Sequence, residues 1–221
     1  MMEQATKSPI QKLPTGIGSF DVISKGGLPR NRTTLLSGTA GSGKTIFAMQ
    51  FLAAGIRDAD EHGVFVTFEE SAADIRTNMR SFGWDLERWE REGKFTFVDA
   101  SPDPGVEVVE SGAFDLGALL ARVEHAVRRV GATRVSVDSL GAVFSQFSDQ
   151  SVVRRELFRI ASALKGIGVT ALLTAERTDD YGPVARFGVE EFIADNVMVL
   201  RNVLENENRR RTIEILKFRG T

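Results

Sequence analysis

Residues Gly38 to Thr45 read Gly-Thr-Ala-Gly-Ser-Gly-Lys-Thr, a full match to the pattern G-x-x-x-x-G-K-[ST]. No other stretch limits the possible folds so sharply, because the pattern works only where a strand feeds a Gly-rich loop that opens directly into a helix. The sequence supplies both neighbours. Thr33–Ser37 is a short β-type run, and Ile46–Ile56 (IFAMQFLAAGI) is an almost continuous apolar helix. Glycines at Gly41 and Gly43 let successive backbone N–H groups turn inward, so Thr39, Ala40, Gly41, Ser42 and Gly43 form a cradle for an anion. The helix that begins near Lys44, Thr45 and Ile46 points its free N–H groups and positive dipole end at the same place. Lys44 reaches phosphate oxygens, and the Thr45 hydroxyl suits Mg²⁺. The implied ligand is a nucleoside triphosphate with its metal.

An alternation of strand and helix patterns extends this unit. Strands are expected at Thr33–Ser37, Val64–Phe68, Phe95–Val98, Arg134–Asp138, Val169–Thr174, Asn196–Leu200 and Thr212–Leu216. Helical spacing is clear at Leu116, Leu119, Leu120, Val123, Val127 and Val130. It recurs at Val153, Leu157, Ile160, Leu164 and Ile167, closed by Gly166 and Gly168. Ser71 followed by Asp74 marks a helix start. The expectation is an α/β domain with a mainly parallel central sheet covered by helices on both faces. The last two strands follow each other without a helix, so the C-terminal edge of the sheet should be antiparallel. Residues 1–15, with Pro9 and Pro14, are expected to be a loose lead-in, and residues 16–221 the domain proper. Ala100–Ala113 is the longest candidate loop, either functional or solvated filler.

Composition removes several classes of function. The 221 residues contain no cysteine, which excludes disulfide frameworks and thiol chemistry. The 28 basic against 30 acidic side chains create no general attraction to nucleic acid or to an anionic membrane. No apolar run is long enough to span a bilayer, and no signal-peptide core is visible, so a cytoplasmic protein is expected.

Phosphate chemistry needs an acidic metal partner and a base. Arg134–Asp138 ends in an aspartate at the carboxyl edge of a strand, where ligands sit in open parallel sheets. Asp138 is the candidate partner of Thr45 for Mg²⁺. Val64–Phe68 delivers Glu69 and Glu70 to the same edge. Glu69 is the expected base for water, with Glu70 in support or holding metal through water; both also suit the start of the next helix. Thr174 and Glu176 end another strand and either sense the terminal phosphate or cap the strand. Lys217 and Arg219 fall on one face of the last strand. There they either protect a solvated edge or reach a nucleotide on a neighbouring subunit, with Arg219 as a finger. Arg209–Arg211 reads as a solvated turn. Trp84 and Trp89 read as packing anchors, and His62 and His125 carry no assigned role.

Together, Ile17–Leu28 (IGSFDVISKGGL), the phosphate loop, VFVTFEE, RSFGWDL, DASPDP, VVRRELFR, YGPVARFGVEEF and RRRTIEILKFRGT resemble the N-terminal ATPase domain of KaiC-type clock proteins. The resemblance runs from about Gly16 to Thr221. It implies a RecA-like fold, ATP and Mg²⁺ as ligands, and a hexameric ring with nucleotide between subunits. It further implies that Glu69 and Glu70 are paired catalytic glutamates and that Asp138 is the metal aspartate. Ser81 would contact nucleotide in cis, and Lys217, Phe218, Arg219 and Thr221 would reach it from the adjacent subunit. A KaiB-type partner would dock near Ala100–Ala113, although the spacing of Gly105–Ala113 departs from the family. The family carries two such domains in tandem and the present sequence has one, as an excised domain would. Where the second domain has its phosphoacceptor pair, this chain has Glu191-Phe192, so autophosphorylation is not expected of it. A DNA-dependent ATPase of the same fold is a rival reading, opposed by the absence of basic residues in Gly141–Gln150. The same motifs would also serve the ATPase part of an autokinase, or a scaffold that ATP merely closes.

Overall fold

Strands buried on both faces read as unbroken apolar runs rather than as alternating patterns, and Thr33–Gly38 is such a strand, buried along its whole length. A computed structural model of the chain describes residues 10–101, 116–144, 149–185, 188 and 193–219. In order the elements are β1 (Lys12–Leu13), α1 (Gly18–Ile23), β2 (Leu28–Pro29), β3 (Thr33–Gly38), α2 (Lys44–Asp58) and β4 (His62–Thr67). Then come α3 (Ala72–Met79), a 3₁₀ turn (Arg80–Phe82), α4 (Leu86–Arg91), β5 (Phe95–Asp99), α5 (Leu116–Val130) and β6 (Ala132–Asp138). The chain continues through α6 (Leu140–Phe144), α7 (Gln150–Gly166), β7 (Thr170–Glu176), β8 (Asn196–Glu205) and β9 (Asn208–Phe218). Most of the Ala100–Ala113 loop, the Glu191-Phe192 pair, Thr221 and residues 1–9 lie outside the described residues.

The main sheet has seven strands in the order β5-β4-β6-β7-β3-β8-β9. All neighbours are parallel except β8 and β9, which form the expected antiparallel edge. Alternation across the sheet divides the apolar residues between two cores. Leu35, Val64, Val66, Val135, Val137, Ala171 and Leu173 face α5 and α7. Leu36, Phe65 and Leu172 face α2, α3 and α4. α5 presents Leu116, Leu119, Val123, Val127 and Val130 inward, as its 3.6-residue spacing requires.

α2 is different: it is apolar on nearly every side, with Phe47 to Met49 and Phe51 to Ile56 buried. Such a helix needs cover on its outer face as well. The cover comes from the start of the chain, where Phe20 of α1 is fully buried and meets Phe47 edge-on at 5.5 Å between ring centroids. Leu13 is buried too, and β1 pairs with β2, so residues 12 and 13 of the expected lead-in form a short strand.

The β8–β9 hairpin is longer than its apolar pattern, which marks only the part paired to the sheet. It turns at Asn206 and Glu207, both with positive φ of 45° and 64°, as a tight two-residue turn demands. This corrects the reading of Arg209–Arg211 as a turn: the three arginines stand on β9, exposed beyond the sheet.

Candidate active site

β3, β4, β6 and β7 all end at one edge, so their carboxyl ends converge on the loop between β3 and α2. Gly43 takes the N-cap position of α2 with φ 101° and no side-chain cap, which leaves the first helical N–H groups facing the loop cavity. Gly38 is held by close approach rather than by φ. A Cβ there would fall 2.4 Å from the Ser42 hydroxyl and 2.8 Å from the Leu200 carbonyl.

Within the loop, the Lys44 ammonium donates to the carbonyls of Gly38 and Thr39 at 3.0 and 3.1 Å. Burial lowers its pKa, while the nearby carboxylates of Glu176, Asp138 and Glu69 act in the opposite sense. Thr45 Oγ1 donates to Asp138 Oδ2 at 2.7 Å, and Thr174 donates to the other Asp138 oxygen. Burial raises the Asp138 pKa, against the two threonine hydrogen bonds. A hydroxyl and a carboxylate in contact, both hard oxygen donors beside a phosphate cradle, fit Mg²⁺, which takes few protein ligands and completes its shell with water and phosphate. Among the described residues no cluster of three or more His, Asp or Glu side chains competes for a metal.

Glu69 and Glu70 are exposed at the end of β4. They diverge: Glu69 Oε1 accepts from Ser139 Oγ at 2.6 Å, while Glu70 Oε2 accepts from Asn78 of α3 at 3.2 Å. Gly41, Lys44, Thr45, Glu69, Asp138 and Glu176 share one cavity of about 200 Å³. Through Gly41, Lys44, Thr45 and Glu70 this space borders a second cavity of about 730 Å³. Thr174 lies inside β7, two residues before its end, and its hydroxyl donates to Asp138 and so orients that carboxylate.

Sequence reasoning missed three supports. Ser139 fixes Glu69, and its one sequence cue is a hydroxyl next to the strand-end aspartate. Asp180 accepts from Thr39 Oγ1 at 3.1 Å and from the Asn202 N–H at 3.2 Å, tying the phosphate loop to β8. Nothing in the turn-like TDDYG sequence signals that role. Arg134 is buried on the same strand as Asp138, and no sequence pattern marks it for that.

A family profile described as "ATPase: KaiC" matches residues 13–221. The chain belongs to the KaiC ATPase family. It is 62% identical over its whole length to the circadian clock protein KaiC3 of Synechocystis, covering 43% of that protein. It is 59% identical over 96% of its length to the circadian clock oscillator protein KaiC of Synechococcus elongatus, covering 41% of it, and 58% identical over 99% to that of Thermostichus vulcanus, covering 42%. The chain thus spans about two fifths of the length of the curated relatives it matches.

The fold is the RecA-like one of KaiC ATPase domains. Of the residues that the KaiC resemblance assigns to a neighbour's nucleotide, the described ones, Lys217, Phe218 and Arg219, lie far from the site on the same chain. Lys217 donates to the Ala194 carbonyl at 2.7 Å. Phe218 pairs with Asn196, and the Arg219 N–H donates to Asn196 Oδ1 at 2.9 Å. Asn196 opposes Thr34 at the start of β3, whereas Leu200 opposes Gly38 at its end. Four residues of strand, about 13 Å at 3.3 Å each, separate the two levels. Lys217, Phe218 and Arg219 thus stand at the opposite edge of the sheet from Asp138 and Glu69. Ser81, on the 3₁₀ turn, is exposed and donates to the Asn78 carbonyl at 2.9 Å. Among the described residues no helix is long and apolar enough to cross a membrane.

Proposed function

We propose that this domain hydrolyses Mg·ATP within a homo-oligomeric ring, hexameric as in the family it resembles, with each nucleotide held between adjacent subunits. The observation that carries the reading is the Thr45–Asp138 contact, set beside the uncapped start of α2 with the Ser139-bound Glu69 in the same cavity. Loop N–H groups bind the phosphates, and Lys44 exchanges its two carbonyl partners for phosphate oxygens. Thr45 and Asp138, with Glu70 nearby, are the residues that would hold Mg²⁺, which supplies charge neutralisation to the triphosphate. Glu69, oriented by Ser139, positions the attacking water and takes its proton. Arg219 of the adjacent subunit, with Lys217, Phe218 and Thr221 beside it, would bring positive charge to the transition state. Its place at the far edge of its own sheet supports action in trans.

Hydrolysis then serves to switch the ring between states that differ in affinity for a KaiB-type protein at the Ala100–Ala113 region. The near-balanced charge and the absence of basic residues in Gly141–Gln150 speak against DNA dependence.

The test is ATP turnover against protein concentration, with and without single-stranded DNA. Specific activity should rise with concentration and ignore DNA. Concentration-independent turnover would sink the shared site, and strong stimulation by DNA would favour a nucleic-acid motor.

A further inference from the structure

Lys12 is a partly buried cation on the first short strand, and it lies against the last aromatic ring of the chain. Its ammonium donates to the Ser24 carbonyl, where α1 ends, and sits 5.2 Å from the centre of the Phe218 ring. That is within reach of a cation–π attraction. Burial, with Lys25 nearby, holds the Lys12 pKa below the ordinary lysine value. The backbone fixes the approach. β1 pairs with β2, Lys12 opposite Pro29 and Leu13 opposite Leu28. A Cβ on Gly27 would fall 2.0 Å from the Leu13 carbonyl oxygen, so only glycine lets β1 lie this close to the turn between α1 and β2.

Phe218 directly precedes Arg219. Its ring packs on the core that holds Leu13, Phe20 and Leu28, while Lys217 and Arg219, alternating with it, take the other face. On that other face Lys217 donates to the Ala194 carbonyl, and the Arg219 guanidinium lies 3.9 Å from Asp195. The end of β9 is thus held from both faces, and Lys12 is the charged contact on the Phe218 face. We propose that Lys12 is a positioning residue for Arg219, acting through the Phe218 ring on the end of β9 that meets a neighbour's nucleotide. This rests on the reading of Arg219 in trans above, and extends the arginine-giving side of the shared site to the first strand of the chain. A ring held by Lys12 resists rotation of the backbone at residue 218, and such a rotation redirects the next side chain.

The experiment uses mixed rings in which every working site has one direction. Arg219→Ala subunits keep the loop and base, and Glu69→Gln subunits keep the arginine, so each complete site joins the base of the first to the arginine of the second. Lys12→Leu, which keeps an apolar stem and loses the charge, is then placed on one subunit type or the other, and ATP turnover of the 1:1 mixture is measured. On the Glu69→Gln subunit it should lower kcat about two- to fivefold, the equivalent of one partly exposed cation–π contact, with KM for ATP unchanged. On the Arg219→Ala subunit it should change nothing. Lys12→Arg keeps a charge that stacks on rings and should restore turnover. A loss that appears with Lys12→Leu on the Arg219→Ala subunit, or equally in both placements, would overturn the proposal, because Lys12 would then serve its own subunit's fold. Unchanged turnover in both placements would overturn it too, as would failure of Lys12→Leu subunits to enter rings in native mass measurements. If the parent mixture of Arg219→Ala and Glu69→Gln is itself inactive, the reading in trans is wrong and the positioning role falls with it.

Discussion

At the scale of single residues, the centre of the site is one half-buried carboxylate with two hydroxyl donors. Burial holds the Asp138 pKa above its ordinary value. A carboxyl group raised in the folded state favours folding below its unfolded pKa, and that contribution is lost as pH rises through the raised value. The ligand-free domain therefore carries a charge cost at neutral pH that Mg²⁺ would relieve. Asp138→Asn removes the charge, and one threonine hydroxyl can turn to accept from the new amide. The ligand-free melting temperature should rise, by roughly 2–4 °C for each kcal/mol relieved, while the stabilisation given by Mg·ATP in the same thermal scan is lost. A lower melting temperature would show that the carboxylate is needed for the fold rather than for metal. Glu69→Gln should retain ATP and stop turnover, a loss on the order of 100-fold or more. Ser139→Ala should lower kcat roughly 10- to 100-fold with little change in KM, because it frees the base to move without touching the nucleotide. Unchanged kcat would remove Ser139 from the mechanism. That the loop, Asp138 and the glutamate pair meet at one edge of the sheet was legible in the sequence, because each lies at a strand end in a fixed pattern. The roles of Ser139 and Asp180, and the contact Thr174 makes with Asp138, were not, because they join segments distant in sequence.

At the scale of elements, the site depends on how β6 and α2 are locked together. Arg134, on β6, is 1% exposed and lies under the α2 backbone at Gly55. It pairs with Glu61 at 2.6 Å, donates to the carbonyls of Phe51 and Pro14 at 2.8 and 2.7 Å, and sits 4.7 Å from the centre of the Phe51 ring. One guanidinium thus joins the strand bearing Asp138, the helix bearing Lys44 and Thr45, and the segment leading into α1. Removing one partner of a buried pair leaves the other charged and unmatched. Arg134→Leu should destabilise the domain by about 3 kcal/mol, read as a lower denaturation midpoint with an unchanged slope. Less than about 1 kcal/mol would mean that Arg30, which also pairs with Glu61, takes over. The strands and the amphipathic helices α5 and α7 were visible because apolar periodicity encodes them. The cover over α2 was not, because a helix apolar on every side announces that it is covered but not by what. The exposed half of the β8–β9 hairpin was hidden for the opposite reason: its arginines pack on no core.

At the scale of the whole molecule, the sheet separates the two halves of the proposed site. Asp138, Glu69 and the loop crown the carboxyl ends of the parallel strands. Arg219, with its side chain 62% exposed and 3.9 Å from Asp195, stands at the other end of β9. No rotamer of Arg219 bridges a gap of some 13 Å along the strand plus the thickness of the edge, so for Arg219 to serve this chemistry it would have to serve another copy. That predicts complementation. In a mixed ring, an Arg219→Ala subunit has an intact loop and base, and a Glu69→Gln subunit has an intact arginine. Wherever the second presents its arginine to the first, a complete site forms. Each variant alone should be nearly inactive, and a 1:1 mixture that exchanges subunits at random should regain about a quarter of wild-type turnover, since half of the Glu69 bases and half of the arginines facing them are intact. Native mass measurements on the same samples would show that mixed rings have formed. Mixed rings that stay inactive would rule out action in trans, because an arginine working within its own subunit is never rescued by a neighbour.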